Sequence, residues 1–521
     1  MHKFVPADLN PGWNTEEVWN TEKPGGVMSE DNRSQENRSL ETKAEVADAQ
    51  LLGDIALEEP VLVTLPEHAP DPVANWARSV EMMPAVIARP TSQADVVEIL
   101  KDATSYPSPV RPMGHFHSTT ACPTTTGTLV DMTGVNQILD LNDDTVTVEG
   151  GAEYLEVEKA LVAKGKHFYV DLQIGNVSMG SLATCDTKDG AYPNEYGQIG
   201  AYVVRVKLAT ADGQVIEVDE SQPELLKAVR GSYGLLGIVL EVTLQIKDLE
   251  SISIVHKSYT FEAFVEALPQ LMSRNGSMMM YLFPFANKIL VQLRGPGNPK
   301  RLRNPFVWPL RNFGVAYGVS LFARFANLIK ISTVRYVIQQ IFNKTARLIL
   351  RWFIRAQNTR PTQQTTNYPA HPRLANFTFS IFAFPVRSYA QTLLAYRDFC
   401  WDYYGATQYR PDLLSVGYFV RQCDYSLFSY SAESDVLTID PVATGGAEWD
   451  HFVQEFNDFA ILRGGKPLFN QTPGLTTYQV NKAFGERLEA FNRIRQQMDP
   501  EGRLLNDYFA QVLKPLPKIL L

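Results

Sequence analysis

The residues best placed to do chemistry lie in three glycine-bearing loops. The first is Val110–Ser118, Val-Arg-Pro-Met-Gly-His-Phe-His-Ser, followed by Thr119 and Thr120. A strand running into a tight, hydroxyl-rich loop offers successive backbone N–H groups, as in the anion nests that wrap a pyrophosphate. The second loop, Gly175–Gly190, is made largely of small residues that let a backbone approach a flat ligand. The third is Arg230–Val239, with glycines at 231, 234 and 237. Each loop alone reads as a turn. Three within one stretch predict a long ligand threaded across one domain. The glycine spacing in the third loop is not that of a dinucleotide fingerprint, and Gly465-Lys466 runs into Pro467 instead of Ser or Thr. A nicotinamide dehydrogenase and a P-loop NTPase are therefore disfavoured. No GxSxG or HExxH occurs, and His115 and His117 are the only close histidine pair. No carboxylate or thiol cluster accompanies that pair, so no metal is expected.

These loops need elements to hold them. Val86–Ala88 and Pro109–Pro112 read as strands, and Ser92–Ser105 as a helix opened by an N-cap serine. Thr128–Met132 and Thr145–Gly150 are predicted strands, and Tyr154–Lys164 a helix ending at Gly165. Val203–Ala209 and Val215–Val218 flank Asp212-Gly213, a hairpin signal. Pro223–Val229 is a predicted helix and Ile238–Ile246 a strand. Aromatic strands resume from about Leu374, at Phe377–Phe384, Ser415–Val420, Ser426–Tyr430 and Val436–Ile439. Helices at Trp449–Leu462 and Gln479–Gln497 close the pattern.

The 521 residues predict two to four domains, and 57 acids against 48 bases leave a net charge of −9, which argues against a general polyanion binder. Four cysteines without a CxxC pair suit a reduced compartment. No secretory signal or membrane-spanning run is read, so a cytoplasmic location is expected. Residues 1–60, with 13 acids and 5 bases, read as a mobile acidic leader. The middle differs. Between Ala267 and Arg397 there are 18 Lys/Arg and no acid at all, too one-sided for an ordinary solvated face. Its densest part, Lys300–Arg355, predicts two amphipathic helices. In the second, Lys344, Arg347, Arg351 and Arg355 share one face, with Ile338, Phe342, Ile349 and Phe353 opposite.

With these residues in view, the chain from about Trp76 to Ile246 resembles the FAD-binding domain of the vanillyl-alcohol oxidase/p-cresol methylhydroxylase (PCMH-type) family. The matching order is the helix after Arg89-Pro90, the Arg-x-x-Gly-x-x-His-Ser loop at 111–118, and Gly180-Ser181-Leu182-Ala183-Thr184. Ala211-Asp212-Gly213 and Tyr233-Gly234-Leu235-Leu236-Gly237-Ile238 follow. The end of the chain, with Arg495, Asp499-Pro500 and Leu504–Tyr508, resembles the sugar-oxidase branch, which includes alditol oxidase, L-gulonolactone oxidase and the oxidase of decaprenylphosphoryl ribose. The resemblance implies an α+β fold, a PCMH-type two-subdomain FAD-binding domain plus an α+β substrate (cap) domain with an antiparallel sheet. The expected division is 61–247 for FAD, 248–478 for the cap including basic helices 300–355, and 479–521 returning to the FAD domain.

The resemblance also implies a FAD site of Arg111, Gly114, His115, Phe116, His117, Ser118, Gly180, Ser181, Thr184, Gly190, Gly237, Ile238 and Asn506. Phe116 stands where the family loop has its second glycine. In that register His117 falls where many members attach FAD covalently, with His115 and non-covalent binding as alternatives. The lysine that sugar-oxidising members carry after a Gly-Gly pair is missing from Gly464–Thr472, which leaves the base open. Alcohol oxidation by a flavin needs a proton acceptor and positive potential beside the ring. Arg421, Asn470, Gln471 and Lys466 are the expected catalytic and substrate-contacting residues, with Lys188, Asp440, Asp424, Tyr418 and Tyr430 as further candidates. Asp440, preceding Pro441, also reads as a turn cap. The expected function is hydride transfer from a CH–OH group of a sugar, polyol, sugar lactone or lipid-linked sugar. An oxidase of a hydroxylated aromatic or sterol, or a flavin- or lipid-binding module without turnover, are the alternatives. Expected partners are dioxygen or a quinone as acceptor and an anionic membrane surface at 300–355, on the inner face, with no nucleic acid.

Overall fold

The computed structural model describes residues 72–190, 192–298, 300, 307–354, 357–368 and 376–517. The predicted acidic leader and Arg355 lie outside the described residues, as does the side chain of Phe353.

Three sheets organise the fold. The first is parallel, with Thr128–Asp131 between Val86–Ala88 and Val110–Met113. Helix Gln93–Lys101 packs on it, burying Val96, Ile99 and Leu100 in a cluster with Ala88, Val110 and Val130. Ser92 and Asp95 form a reciprocal capping box at its start. The helix stops at Lys101, short of the predicted Ser105, because the Asp102 carboxylate accepts the N–H groups of Thr104 and Ser105 and turns the chain. The second sheet runs in the order Val215–Asp219, Val203–Ala209, Ile238–Asp248, Thr145–Glu149, Ile138–Leu141, and Lys166–Phe168 pairs with the far end of its central strand. The predicted hairpin at Asp212-Gly213 is there, with Gly213 at φ +76°.

The third sheet has eight antiparallel strands, with Ser277–Phe283 and Ser415–Val420 adjacent near its middle. Side chains alternate across it. Met278, Met280 and Leu282 enter the large core with Tyr389 and Tyr396 of helix Val386–Thr407 and Phe452 and Phe456 of helix Ala447–Leu462. Met279, Tyr281 and Phe283 face the other way, with Ile381, Tyr418 and Val420. That second face is the one that turns toward a cavity.

Three expectations need correction. Ser426–Tyr430 forms turns, not a strand: the Ser429 hydroxyl donates to the Cys423 carbonyl at 2.6 Å, and its N–H donates to Ser426. The single helix predicted over Gln479–Gln497 is two, Thr477–Phe484 and Glu486–Met498, broken by Gly485 at φ +48°. The basic region holds a helix over 307–327, interrupted by a π-turn at Gly314–Gly318, and a second at Ser332–Phe353. The predicted faces of this second helix hold only in part: Lys344, Arg351 and Ile349 are exposed, and two residues differ. Phe342 is turned inward, stacked on Phe322 with ring centroids 3.8 Å apart, and Arg347 lies 4.9 Å from the Phe283 ring. The outward apolar side chains are Val334, Val337, Ile341, Leu348 and Trp352, together with Ile349 of the predicted face. Interior aromatics on neighbouring elements pulled the helix round. A count of charges along one helix could not register them.

The end of the chain returns to the first sheet. Val110 donates its N–H to the Arg503 carbonyl at 2.7 Å, and Leu504 is fully buried in the cluster of the first helix.

Candidate active site

Two cavities adjoin between these sheets. The first, about 160 Å³, is lined by all three loops singled out in the sequence, from Arg111 to Ser118, from Val177 to Thr187 and from Tyr233 to Val239. Its walls are backbone-close. A Cβ on Gly114 would lie 2.2 Å from the Ser178 hydroxyl, and one on Gly180 would lie 2.9 Å from the Gly150 carbonyl. Gly237 holds φ +151°. Among the described residues, no acceptor takes the backbone N–H of His115, Phe116, His117 or Ser118. A run of unclaimed donors beside glycine walls fits the pyrophosphate of a dinucleotide cofactor.

Phe116 reaches its place at a cost. It sits at φ +49°, where a glycine carries no strain, yet its ring is buried with Met82 and Leu129. Burying a phenylalanine ring outweighs the roughly 1 kcal/mol of a left-handed backbone. That is why a bulky residue stands at a glycine position.

His115 and His117 differ in environment. His115 Nε2 lies 3.3 Å from the Glu153 carboxylate. His117 packs edge-on against Tyr368 at 4.6 Å, and its Nδ1 is buried without a partner. Burial, helped by the charge of His115, pushes the His117 pKa down to about 3, so the ring is neutral at physiological pH. Ser181 shares a hydrogen bond with Ser178 at 2.8 Å, Thr184 donates to the Gly180 carbonyl at 2.9 Å, and Ile238 lines the wall.

Two of the expected contacts tie the loops together, Arg111 from the cavity wall and Asn506 from behind it. The Arg111 guanidinium, held down to about 10 by burial, donates to the carbonyls of Tyr233, Gly234, Cys122 and Leu504. It joins the first loop, the third loop and the chain end. Asn506 caps the helix Asp507–Val512 and donates to the carbonyls of Ala121, Cys122 and Thr124. Gly190 lies off the cavity, where a Cβ would strike the Met278 carbonyl at 2.8 Å.

The second cavity, about 310 Å³, shares Val177, Leu182, Thr187 and Gln471 with the first. Gln471 therefore stands at the junction, and Asn470 lines the first cavity with its Oδ1 buried and unpaired. Arg421 and Lys466 line neither cavity. Arg421 donates to the Tyr192 carbonyl at 3.1 Å, and Lys466 pairs with Glu433. In their place the second cavity holds Lys188 and Asp440, paired at 2.7 Å, with the Lys188 ammonium 4.1 Å from the centre of the Tyr418 ring. Asp440 Oδ2 also accepts from the Thr438 hydroxyl at 3.2 Å, while Oδ1 is buried without a partner. Burial raises the Asp440 pKa, and Lys188 opposes the rise. Asp440 is thus no turn cap. The local Asp-Pro signal hid a contact with a residue 252 positions away in sequence.

Sequence reasoning missed Asp186, which lines the first cavity, is wholly buried, and accepts the hydroxyls of Tyr425 at 2.6 Å and Tyr233 at 2.8 Å. Burial lifts its pKa to about 6 against those two donors. Its position inside the second loop was the available signal.

Comparison with known proteins agrees with this geometry. A family model described as FAD binding domain matches residues 84–219, and one described as D-arabinono-1,4-lactone oxidase matches residues 242–512. An L-gulono-1,4-lactone dehydrogenase of Mycobacterium tuberculosis is 25% identical over 452 residues, covering 85% of this chain and 99% of that protein. An L-gulonolactone oxidase of Scyliorhinus torazame is 21% identical, covering 83% and 96%. The fold is that of a cholesterol oxidase from B. sterolicum, with a TM-score of 0.69 at 13% identity over 85% of this chain and 96% of the other.

Proposed function

The chain belongs to the D-arabinono-1,4-lactone oxidase family, and on that premise we propose that it oxidises a CH–OH group of a hydroxylactone or related sugar derivative. It is a FAD-dependent oxidoreductase. Bound FAD supplies the two-electron acceptor for the hydride of the carbinol carbon. The unclaimed N–H groups from His115 to Ser118 hold the pyrophosphate, and Gly114, Gly180 and Gly237 let it lie against backbone. Phe116, Ser181, Thr184 and Ile238 complete the wall. Arg111 and Asn506 position these loops. His117 is the attachment point for a covalent flavin: its ring is neutral, and among the described residues no carboxylate engages either of its nitrogens as Glu153 engages the His115 Nε2.

Asp440 takes the hydroxyl proton on its unpaired Oδ1, and Lys188 opposes the rise in pKa that burial gives that carboxylate. Gln471 and Asn470 orient the donor oxygen. The observation that carries this reading is the buried Lys188–Asp440 pair in a cavity sharing Thr187 and Gln471 with the cofactor loops.

The test is anaerobic mixing of the flavin-loaded protein with hydroxylactones, sugars and polyols. A productive donor bleaches the flavin absorbance, and dioxygen or a quinone restores it. Flavin that no such donor bleaches leaves only a binding module. Acid denaturation should leave flavin on the peptide containing His117, and His117→Ala should release it.

The same reading includes attachment to an anionic membrane surface, without a span: no described helix is long and apolar enough to cross a bilayer. Its support is an outward apolar face on an acid-free basic segment. Leu310, Phe313, Phe325, Leu328 and Ile331 stand exposed beside the Val334–Leu348 stripe, with Lys330, Lys344 and Arg351 also exposed. Apolar side chains enter the interface while Lys and Arg meet anionic headgroups.

A further inference from the structure

We infer that the donor is an amphiphile, a polar head bearing the CH–OH group on an apolar tail, delivered from the lipid side. The inference rests on the oxidoreductase reading above and names its substrate class. Most of the second cavity's wall is apolar, with Met279, Phe379, Ile381 and Val442 from the sheet side and Val315 and Val319 from the 307–327 helix. Three buried polar atoms on that wall have no partner in the chain: Asp440 Oδ1, Gln173 Nε2 and Ser320 Oγ. With Lys188, Arg311, Tyr418 and Gln471 on the same wall they can meet the oxygens of a polar head, while the rest of the wall offers mostly carbon. A polyhydroxylated donor filling the whole space would set hydroxyls against the apolar part of that wall, each unmade hydrogen bond costing about 1–3 kcal/mol.

The route follows from the same helix. Val315, Val319 and Ser320 line the cavity, while Leu321, Phe325 and Leu328, on the same continuous stretch, are exposed. A wall one helix thick therefore separates the cavity from the face assigned to lipid. The π-turn at Gly314–Gly318 falls within this wall, the kind of local helix irregularity that recurs at functional sites. The step balances. The carbinol carbon gives a hydride to FAD and the hydroxyl gives its proton to Asp440. The product is the carbonyl compound, and a dioxygen or quinone acceptor reoxidises the flavin.

The experiment uses the flavin-loaded full chain and a series of hydroxylactones with n-alkyl tails of increasing length, dispersed in detergent or in phosphatidylcholine–phosphatidylglycerol vesicles. The rate of anaerobic flavin bleaching at sub-saturating donor should rise about fourfold per methylene, the ~0.8 kcal/mol each buried methylene contributes, until the tail outgrows the cavity. Val319→Trp, which fills that wall, should flatten the dependence on tail length. In vesicles the long-tailed donors should keep their advantage. If unsubstituted lactones bleach the flavin as fast as tailed ones, the amphiphile is wrong and the oxidoreductase reading stands. If tailed and untailed donors alike leave a bound flavin unbleached, both fall.

Discussion

Asp440 is the residue on which the chemistry turns. Because burial raises its pKa, the base form accumulates as pH rises. The rate of flavin reduction should climb with pH to a plateau, and Asp440→Asn should remove that limb and lower the rate about 10²–10⁴-fold. Stopped-flow bleaching across pH, at matched flavin content, checks this; an Asn variant with the parent profile would assign the proton elsewhere. Glu158 is a second buried acid, in a trio with His167 and Asp171 whose ligand-type atoms lie within 4.8 Å of one another. Burial first, and the Asp171 charge second, push its pKa from an ordinary 4.5 up to about 8. The folded protein therefore keeps a proton that the unfolded chain releases, and stability drains away from pH 4.5 upward until about 8. Glu158→Gln should melt higher than the parent, by a margin that grows over that window and then levels off. Equal melting temperatures at pH 5 and pH 8 would contradict it. Residues of this kind were only half legible. The glycine loops announced themselves locally, whereas the Lys188–Asp440 pair exists only once distant strands meet.

Among elements, the strands and helices of the cofactor half follow their patterns because turns such as Asp212-Gly213 and caps such as Ser92 are written within a few residues. The basic helices do not, because aromatic contacts such as Phe322 on Phe342 decide which face turns in. That rotation changes which substitutions matter. Phe325→Gln, Leu328→Gln and Ile331→Gln together, at side chains 70%, 75% and 65% exposed, should leave melting nearly unchanged. They should cut co-sedimentation with phosphatidylglycerol-containing vesicles at least tenfold. Phe342→Gln should instead lower the melting temperature, because the half-buried ring loses its stacking on Phe322. Binding that survives the triple change would place the lipid contact elsewhere, and binding that ignores added salt would deny the basic residues their part.

At the scale of the molecule, the end of the chain belongs to the core of its beginning. Leu504 is fully buried with Val96 and Val110, and its carbonyl accepts from Arg111 at 2.8 Å. Leu504→Ala should cost about 2–5 kcal/mol and lower the temperature at which flavin is released, although no atom of Leu504 lines the cofactor cavity. Flavin fluorescence during heating reads both events. Flavin release at the parent temperature in a variant that melts lower would separate the chain end from cofactor retention.

This tie has a consequence for biosynthesis. A ribosome delivers the His117 loop nearly four hundred residues before Arg503 and Leu504. Until they arrive, the first sheet lacks a core side chain and the N–H of Val110 lacks its acceptor. A nascent chain is therefore expected to hold flavin less firmly until residues 503 and 504 have folded back onto the first sheet.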